Sequence, residues 1–159
     1  MIFGRKKQET FEKSVGVYLY PERIIIVTKY QRDASTSYLS DDISILTADA
    51  SNYEVGDSLI KHLQRSKLDS GSYQNFQLYR KAFRKKGKFT SEKQVMINAK
   101  YVNVFMTNDT LRFEPFRNMF LERGWKEFFR IPESIFNCNS TMDFDMIGEQ
   151  LRIAGDKAI

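Results

Sequence analysis

The stretch Val15-Gly-Val-Tyr-Leu-Tyr-Pro-Glu-Arg-Ile-Ile-Ile-Val27 constrains the fold more than any other part of the chain, because it is apolar on both of its alternating faces. Val17 and Leu19 point one way, Tyr18 and Tyr20 the other, and residues 24–27 supply both sides. β-Branched and aromatic residues flank Tyr20-Pro21-Glu22-Arg23, where proline pre-sets a turn dihedral, so the segment reads as a β-hairpin. Strands apolar on both faces need cover on both. A second version of this hairpin lies 87 residues on: Val102-Asn-Val-Phe-Met-Thr-Asn-Asp-Thr-Leu-Arg-Phe-Glu114 aligns without a gap. Its turn falls at Asn108-Asp109, residues that tolerate the positive φ a two-residue turn demands. Farther on, Val55-Gly56-Asp57-Ser58-Leu59 matches Ile147-Gly148-Glu149-Gln150-Leu151 at an offset of 92 residues. The chain therefore reads as two related β-hairpin-strand-helix units, a pseudo-repeat of 15–66 and 101–156. A glycine inside a helix costs about 1 kcal/mol relative to alanine, so Gly56 and Gly148 imply a close approach of each helix to the sheet.

Between these landmarks the pattern predicts a short strand at 43–47, preceded by an exposed polar loop over 28–42. Ser51 with Glu54 three residues on is a capping box that opens a helix over 52–66, with Val55, Leu59, Ile60 and Leu63 as its buried stripe. A second helix spans 72–86, with Gly87 in the left-handed cap position that closes it. A third, 91–99, starts at the capping box of Ser91 and Gln94. Strands follow at 101–107, 110–116 and 128–131, with an irregular, partly buried loop at 116–125. The last helix, 141–156, is entered through Ser140 and Asp143 and buries Phe144, Ile147, Leu151 and Ala154.

At 159 residues and 18.7 kDa the chain is one domain, 1–159, of the α+β class: a largely antiparallel sheet with about four helices. Hydrophobic residues at 42% and 22 aromatics exclude a disordered chain. The longest uninterrupted aliphatic run, 24–27, is far short of the ~20 residues that cross a bilayer, so no membrane span is expected. The start, Met-Ile-Phe-Gly-Arg-Lys-Lys, has no apolar stretch behind its basic tip, and Cys138 is the single cysteine; a reducing cytoplasm is the expected compartment. Residues 1–13 read as a loosely ordered basic segment.

The net charge of +5 is concentrated rather than spread: residues 80–93 carry +6 and residues 1–13 carry +2. On a helix, Lys81, Arg84, Lys85 and Lys88 fall at i, i+3, i+4 and i+7 and line one face, opposite Phe76, Tyr79 and Phe83. With Arg80 they form the candidate phosphate-binding stripe of a small basic nucleic-acid-binding protein, whose affinity would fall steeply with salt.

Catalytic arrangements fail on inventory. His62 is the only histidine, too few for a three-histidine or HExxH metal site, and Cys138 alone makes no zinc knuckle or redox pair. Neither a P-loop nor a G-x-G-x-x-G run is present. The chain is read as having no catalytic residue, no metal site, no cofactor and no small-molecule ligand. The acid pairs Asp41-Asp42 and Asp143-Asp145 fall in a loop and at a helix start.

The first hairpin, followed by a short strand and Glu54-Val55-Gly56-Asp57-Ser58-Leu59, resembles the immunity proteins of bacterial contact-dependent growth inhibition systems. Residues 102–114, Phe129-Arg-Ile-Pro132 and Asp145-Met-Ile-Gly-Glu-Gln-Leu151 resemble the second half of that family, so the likeness covers roughly residues 15–155. The resemblance implies a cytoplasmic binder that neutralises the C-terminal toxin domain of its cognate system, often a nuclease, in a one-to-one complex, without catalysis. Many nuclease inhibitors are acidic overall and this chain is basic, so any mimicry of nucleic acid is local. Contact residues in such families differ from pair to pair and do not transfer. From this sequence, exposed acids and one aromatic are the candidates for meeting a cationic toxin by capping its active site or adding strands edge to edge: Tyr38, Asp41 and Asp42 in the polar loop, and Asp143, Asp145 and Glu149 at the last helix.

Overall fold

The computed structural model describes residues 12–33, 36–69, 71 and 73–159. Most of the basic segment at 1–13 lies outside them; Lys13 already belongs to the first strand. The first hairpin pairs β1 (Lys13–Leu19) with β2 (Arg23–Gln31), and β3 (Ser37–Thr47) returns along β2. The second pairs β4 (Lys100–Thr107) with β5 (Thr110–Asn118), flanked by β6 (Phe128–Arg130) and β7 (Phe136–Asn139). The strands form one open antiparallel sheet in the order β3-β2-β1-β4-β5-β6, with β7 also on β5. One face is covered by α1 (Asn52–Arg65) and α5 (Phe144–Lys157), the other by α2 (Tyr73–Lys86) and α3 (Glu92–Met96).

The two-sided hairpin explains this sandwich. Val15, Val17, Ile24 and Ile26 bury against α1 and α5, while Tyr18, Tyr20, Ile25 and Val27 bury against Phe83 and Val95 on the opposite side. Burying such side chains stabilises by roughly 1.5–3 kcal/mol each, so the pattern settles both layers at once.

The register carries the repeat further than the sequence does. Gly16 pairs with Asn103, its own counterpart at the offset of 87, so Val15 faces Val104 and Val17 faces Val102 about a pseudo-twofold axis. The contact between α1 and α5 obeys the same axis. A Cβ on Gly56 would fall on the Phe144 carbonyl, and one on Gly148 would fall on the Asn52 carbonyl. The glycines thus serve helix-to-helix contact rather than the helix-to-sheet contact expected, because the two N-terminal turns cross on the axis. The pairs Arg23↔Thr47 and Ile26↔Ser44 recur as Thr110↔Asn139 and Phe113↔Phe136, and Gln31↔Ser37 recurs as Asn118↔Phe128. β6 and β7 are therefore together the counterpart of β3, split by the 3-10 turn Pro132–Ser134. Even the exits match: Gln31 N–H donates to the Lys67 carbonyl, and Asn118 N–H to the Ile159 carbonyl.

Several local expectations are corrected. The polar loop over 28–42 is mostly strand, because Thr28, Ser40 and Asp42 find hydrogen-bond partners and Tyr38 finds a ring to pack on. Lys88, at φ 56°, takes the left-handed position assigned to Gly87; Gly87 instead leaves room for the Phe89 ring. In the second hairpin only Asn108 has positive φ, 52°. β5 runs on to Asn118, and a one-turn helix, α4 (Phe120–Arg123), ends at Gly124 with φ 68°, where a loop was expected. α5 begins three residues later than expected, with Asp143 at its N-cap making no capping bond.

Candidate functional site

The first group of sequence candidates separates on folding. Tyr38 is buried, stacked on Tyr79 with ring centroids 6.0 Å apart, and donates its hydroxyl to the Asp69 carbonyl at 2.9 Å. Such a ring holds α2 on the sheet and presents no surface to a partner, contrary to its expected exposure. Asp41 is exposed, with its carbonyl accepting from Lys86 Nζ at 2.6 Å. Asp42 turns the other way, into a polar cluster at the foot of α1. Its Oδ2 accepts from Thr28 Oγ1 at 2.6 Å and from Arg65 Nε at 2.6 Å, and its Oδ1 from Arg65 Nη2 at 3.2 Å.

His62 completes that cluster. Its Nδ1 lies 2.8 Å from Thr28 Oγ1 and 3.4 Å from Asp42 Oδ2, and its Nε2 lies 2.7 Å from Ser44 Oγ. With the Thr28 proton given to Asp42, Nδ1 donates to Thr28 and Nε2 accepts from Ser44. The line Ser44–His62–Asp42 has the order of a hydrolytic triad, but its chemistry does not follow. Burial, only partly opposed by Asp42, lowers His62 to about 4, and the ring is wholly buried, so it is a poor base with no route to substrate. Burial raises the Asp42 carboxyl, but the hydrogen bonds from Arg65 and Thr28 outweigh it and hold the group below its ordinary value. The cluster fastens α1 to β2 and β3.

The second group stays together. Asp143 and Asp145 border an open depression of about 340 Å³ whose other walls are Tyr53, Met142 and Phe144. Glu149 is exposed one turn farther along α5. Tyr53 packs edge-on against Phe144 at 5.5 Å yet remains 53% exposed, and Met146 nearby is 46% exposed. The depression exists because glycines 56 and 148 bring the two N-terminal turns into contact, which sets Tyr53 of α1 beside the acids of α5. Tyr53 was not singled out from sequence; its place one residue before the capping-box Glu54 was the available signal.

The basic stripe is less free than its spacing implies. Arg80 donates from Nε and Nη2 to the two Glu92 oxygens at 3.1 and 2.8 Å, and Arg84 lies 4.0 Å from the same carboxylate. Lys81 and Lys85 are exposed on α2, while Lys88 lies past the helix end and off the stripe. Among the described residues no group of three or more His, Cys, Asp or Glu is placed to hold a metal ion, and no helix is long and apolar enough to cross a membrane.

No protein-family model and no curated protein matches this chain. Its fold has solved counterparts. One is a protein of unknown function, NMB0488 from Neisseria meningitidis, at 16% identity and a TM-score of 0.76 over the full length of both chains. Another is a chain of the CdiA-CT/CdiI toxin and immunity complex from Yersinia pseudotuberculosis, at 14% identity and a TM-score of 0.77, covering 94% of this chain and 98% of that one.

Proposed function

We propose that the protein is an immunity-type inhibitor: it binds the C-terminal toxin domain of a contact-dependent growth inhibition system in the cytoplasm, one to one, and neutralises it without catalysis. The fold likeness to a chain of a toxin–immunity complex supports the reading, as does the resemblance of the two hairpin units to that family. The observation that carries the docking surface is the depression at the crossing of α1 and α5, where exposed Tyr53 sits among Asp143 and Asp145 with Glu149 beyond. An aromatic anchor with an acidic rim on two locked helices suits a basic partner, and nucleases present basic faces to their substrate.

The test is co-expression with the C-terminal toxin domain of a candidate cognate system, followed by size-exclusion chromatography and titration calorimetry. Growth rescue and a one-to-one complex are expected. Reversing both Asp143 and Asp145 to Lys is expected to weaken binding by ~100-fold, about 1.4 kcal/mol for each residue, with the fold retained by circular dichroism. Absence of rescue together with absence of a complex overturns the reading.

A further inference from the structure

On the opposite side of the sheet from the toxin-facing depression, a cavity of about 210 Å³ lies under α2. Its floor is Tyr18, Lys29, Ser37, Tyr38 and Leu39 from β1, β2 and β3. Its roof is Phe76, Arg80 and Phe83 of α2, and Glu92 and Val95 of α3 close one end. At about 30 Å³ of liquid per water, this is room for roughly seven waters, the bulk of one aromatic ring with a short polar group.

The floor holds a cation without a counter-ion. Lys29 donates from Nζ to Asn103 Oδ1 at 3.3 Å, long for a charged donor, and that oxygen already accepts the Tyr101 hydroxyl at 2.6 Å. No carboxylate among the described residues comes within ion-pair distance of Lys29; Glu114 acts on it only from farther off. Burial lowers the Lys29 ammonium to about 8, against the raising effect of Glu114. In the roof, Arg80 spends Nε and Nη2 on Glu92 and keeps Nη1. Lys29 and Arg80 thus line the cavity against the single carboxylate of Glu92, which Arg84 also approaches, so the cavity has an excess of positive charge.

We propose that this cavity binds a small free organic carboxylate, its anionic end on Lys29 and Arg80 and its apolar body between Tyr18, Phe76 and Phe83. A carboxylate supplies the acceptors that the Lys29 ammonium lacks, and the aromatic walls accept a ring but offer nothing to a larger polar ligand. The site is on the face away from Tyr53 and Asp145, so it stands apart from the toxin reading and either can fail alone.

The probe is benzoate, titrated into the purified full chain and followed by heteronuclear NMR and by thermal shift. Saturable binding in the millimolar range or below is expected, with shifts centred on Lys29, Phe76 and Phe83. Benzamide, of the same shape without the charge, is expected to bind at least ~10-fold more weakly, as is benzoate to Lys29→Met. Ser37→Trp fills the cavity from its floor and keeps the test independent of any effect of Lys29 on folding; it is expected to abolish binding. No saturable benzoate binding, equal affinity for benzamide, or unchanged binding by Lys29→Met and Ser37→Trp would overturn the proposal.

Discussion

The face under α1 and α5 is filled mainly by aliphatic side chains, with Phe113 stacked on Phe136, and by backbone meeting backbone, whereas the face under α2 and α3 is dominated by aromatic rings, whose tyrosine hydroxyls seek polar partners. On the first, Gly56 and Gly148 let two helices touch across the pseudo-twofold axis. On the second, Tyr18, Tyr20, Tyr101, Phe83 and Phe89 stack on one another, Tyr20 donates to the Val95 carbonyl at 2.7 Å, and Tyr101 donates to Asn103. The first face belongs to the repeat and is symmetric. The second is covered by helices that lie between the two halves in sequence, and they cover the halves unequally. Their tolerance differs accordingly: side-chain ends can move aside, and a helix backbone cannot.

The sharpest way to break this comparison is Gly148→Ala. The new Cβ would meet the Asn52 carbonyl, so the helices must part, and a loss of about 4 kcal/mol is expected even after alanine's helix preference is credited; chemical denaturation measures it. A mild effect would mean that the helix pair is not locked.

Acid should loosen the first face selectively. His62 stands near 4 in the folded chain against 6.5 when unperturbed, so between those values the unfolded chain binds more protons. Stability is full above about 6.5 and is lost as the pH falls toward 4, by about 3 kcal/mol at 1.4 kcal/mol per pH unit. Asp42 adds to the loss below its ordinary value of 3.8. On the aromatic face burial pushes Tyr18, Tyr20 and Tyr101 upward, away from this window. Denaturation midpoints across pH 4–7 should therefore slope in the parent and flatten in His62→Asn; an equal slope in both would dismiss His62 as the source.

Gly16→Ala probes the aromatic side and sharpens the contrast. Its Cβ would lie 2.6 Å from the Tyr101 hydroxyl and 3.1 Å from Leu39 Cδ2, both ends of side chains, so the cost should be about 2 kcal/mol. A loss as large as that of Gly148→Ala would erase the distinction between the faces.

What could be read in advance follows the same division. The hairpins, the capped helix over 52–66 and the repeat were legible because each depends on local period and turn chemistry. Residues 28–42 misled because Thr28, Ser40, Asp42 and Tyr38 look like loop residues until His62, Arg65, Asp69 and Tyr79 arrive from later in the chain. β6 and β7 escaped recognition as one strand's counterpart because the turn at Pro132–Ser134 divides them. At the proposed docking surface, exposed acids were legible as polar positions of a helix start. Tyr53 was not, since its place beside them is set by the crossing of two helices some 90 residues apart in sequence.

Gln31 and Asn118 each take hold of the backbone that leaves the helix of their own half, so each half is tied off by a hydrogen bond of its own. The halves meet chiefly where β1 pairs with β4 and α1 crosses α5, with Arg152 of α5 also donating to the Ala48 and Ala50 carbonyls and Lys29 of β2 to Asn103 of β4. The stretch between the halves supplies α2 and α3, whose Phe83 and Val95 cover the aromatic rings of the sheet. A change confined to that stretch bears on one layer of the sandwich and leaves the helix crossing of the other layer in place.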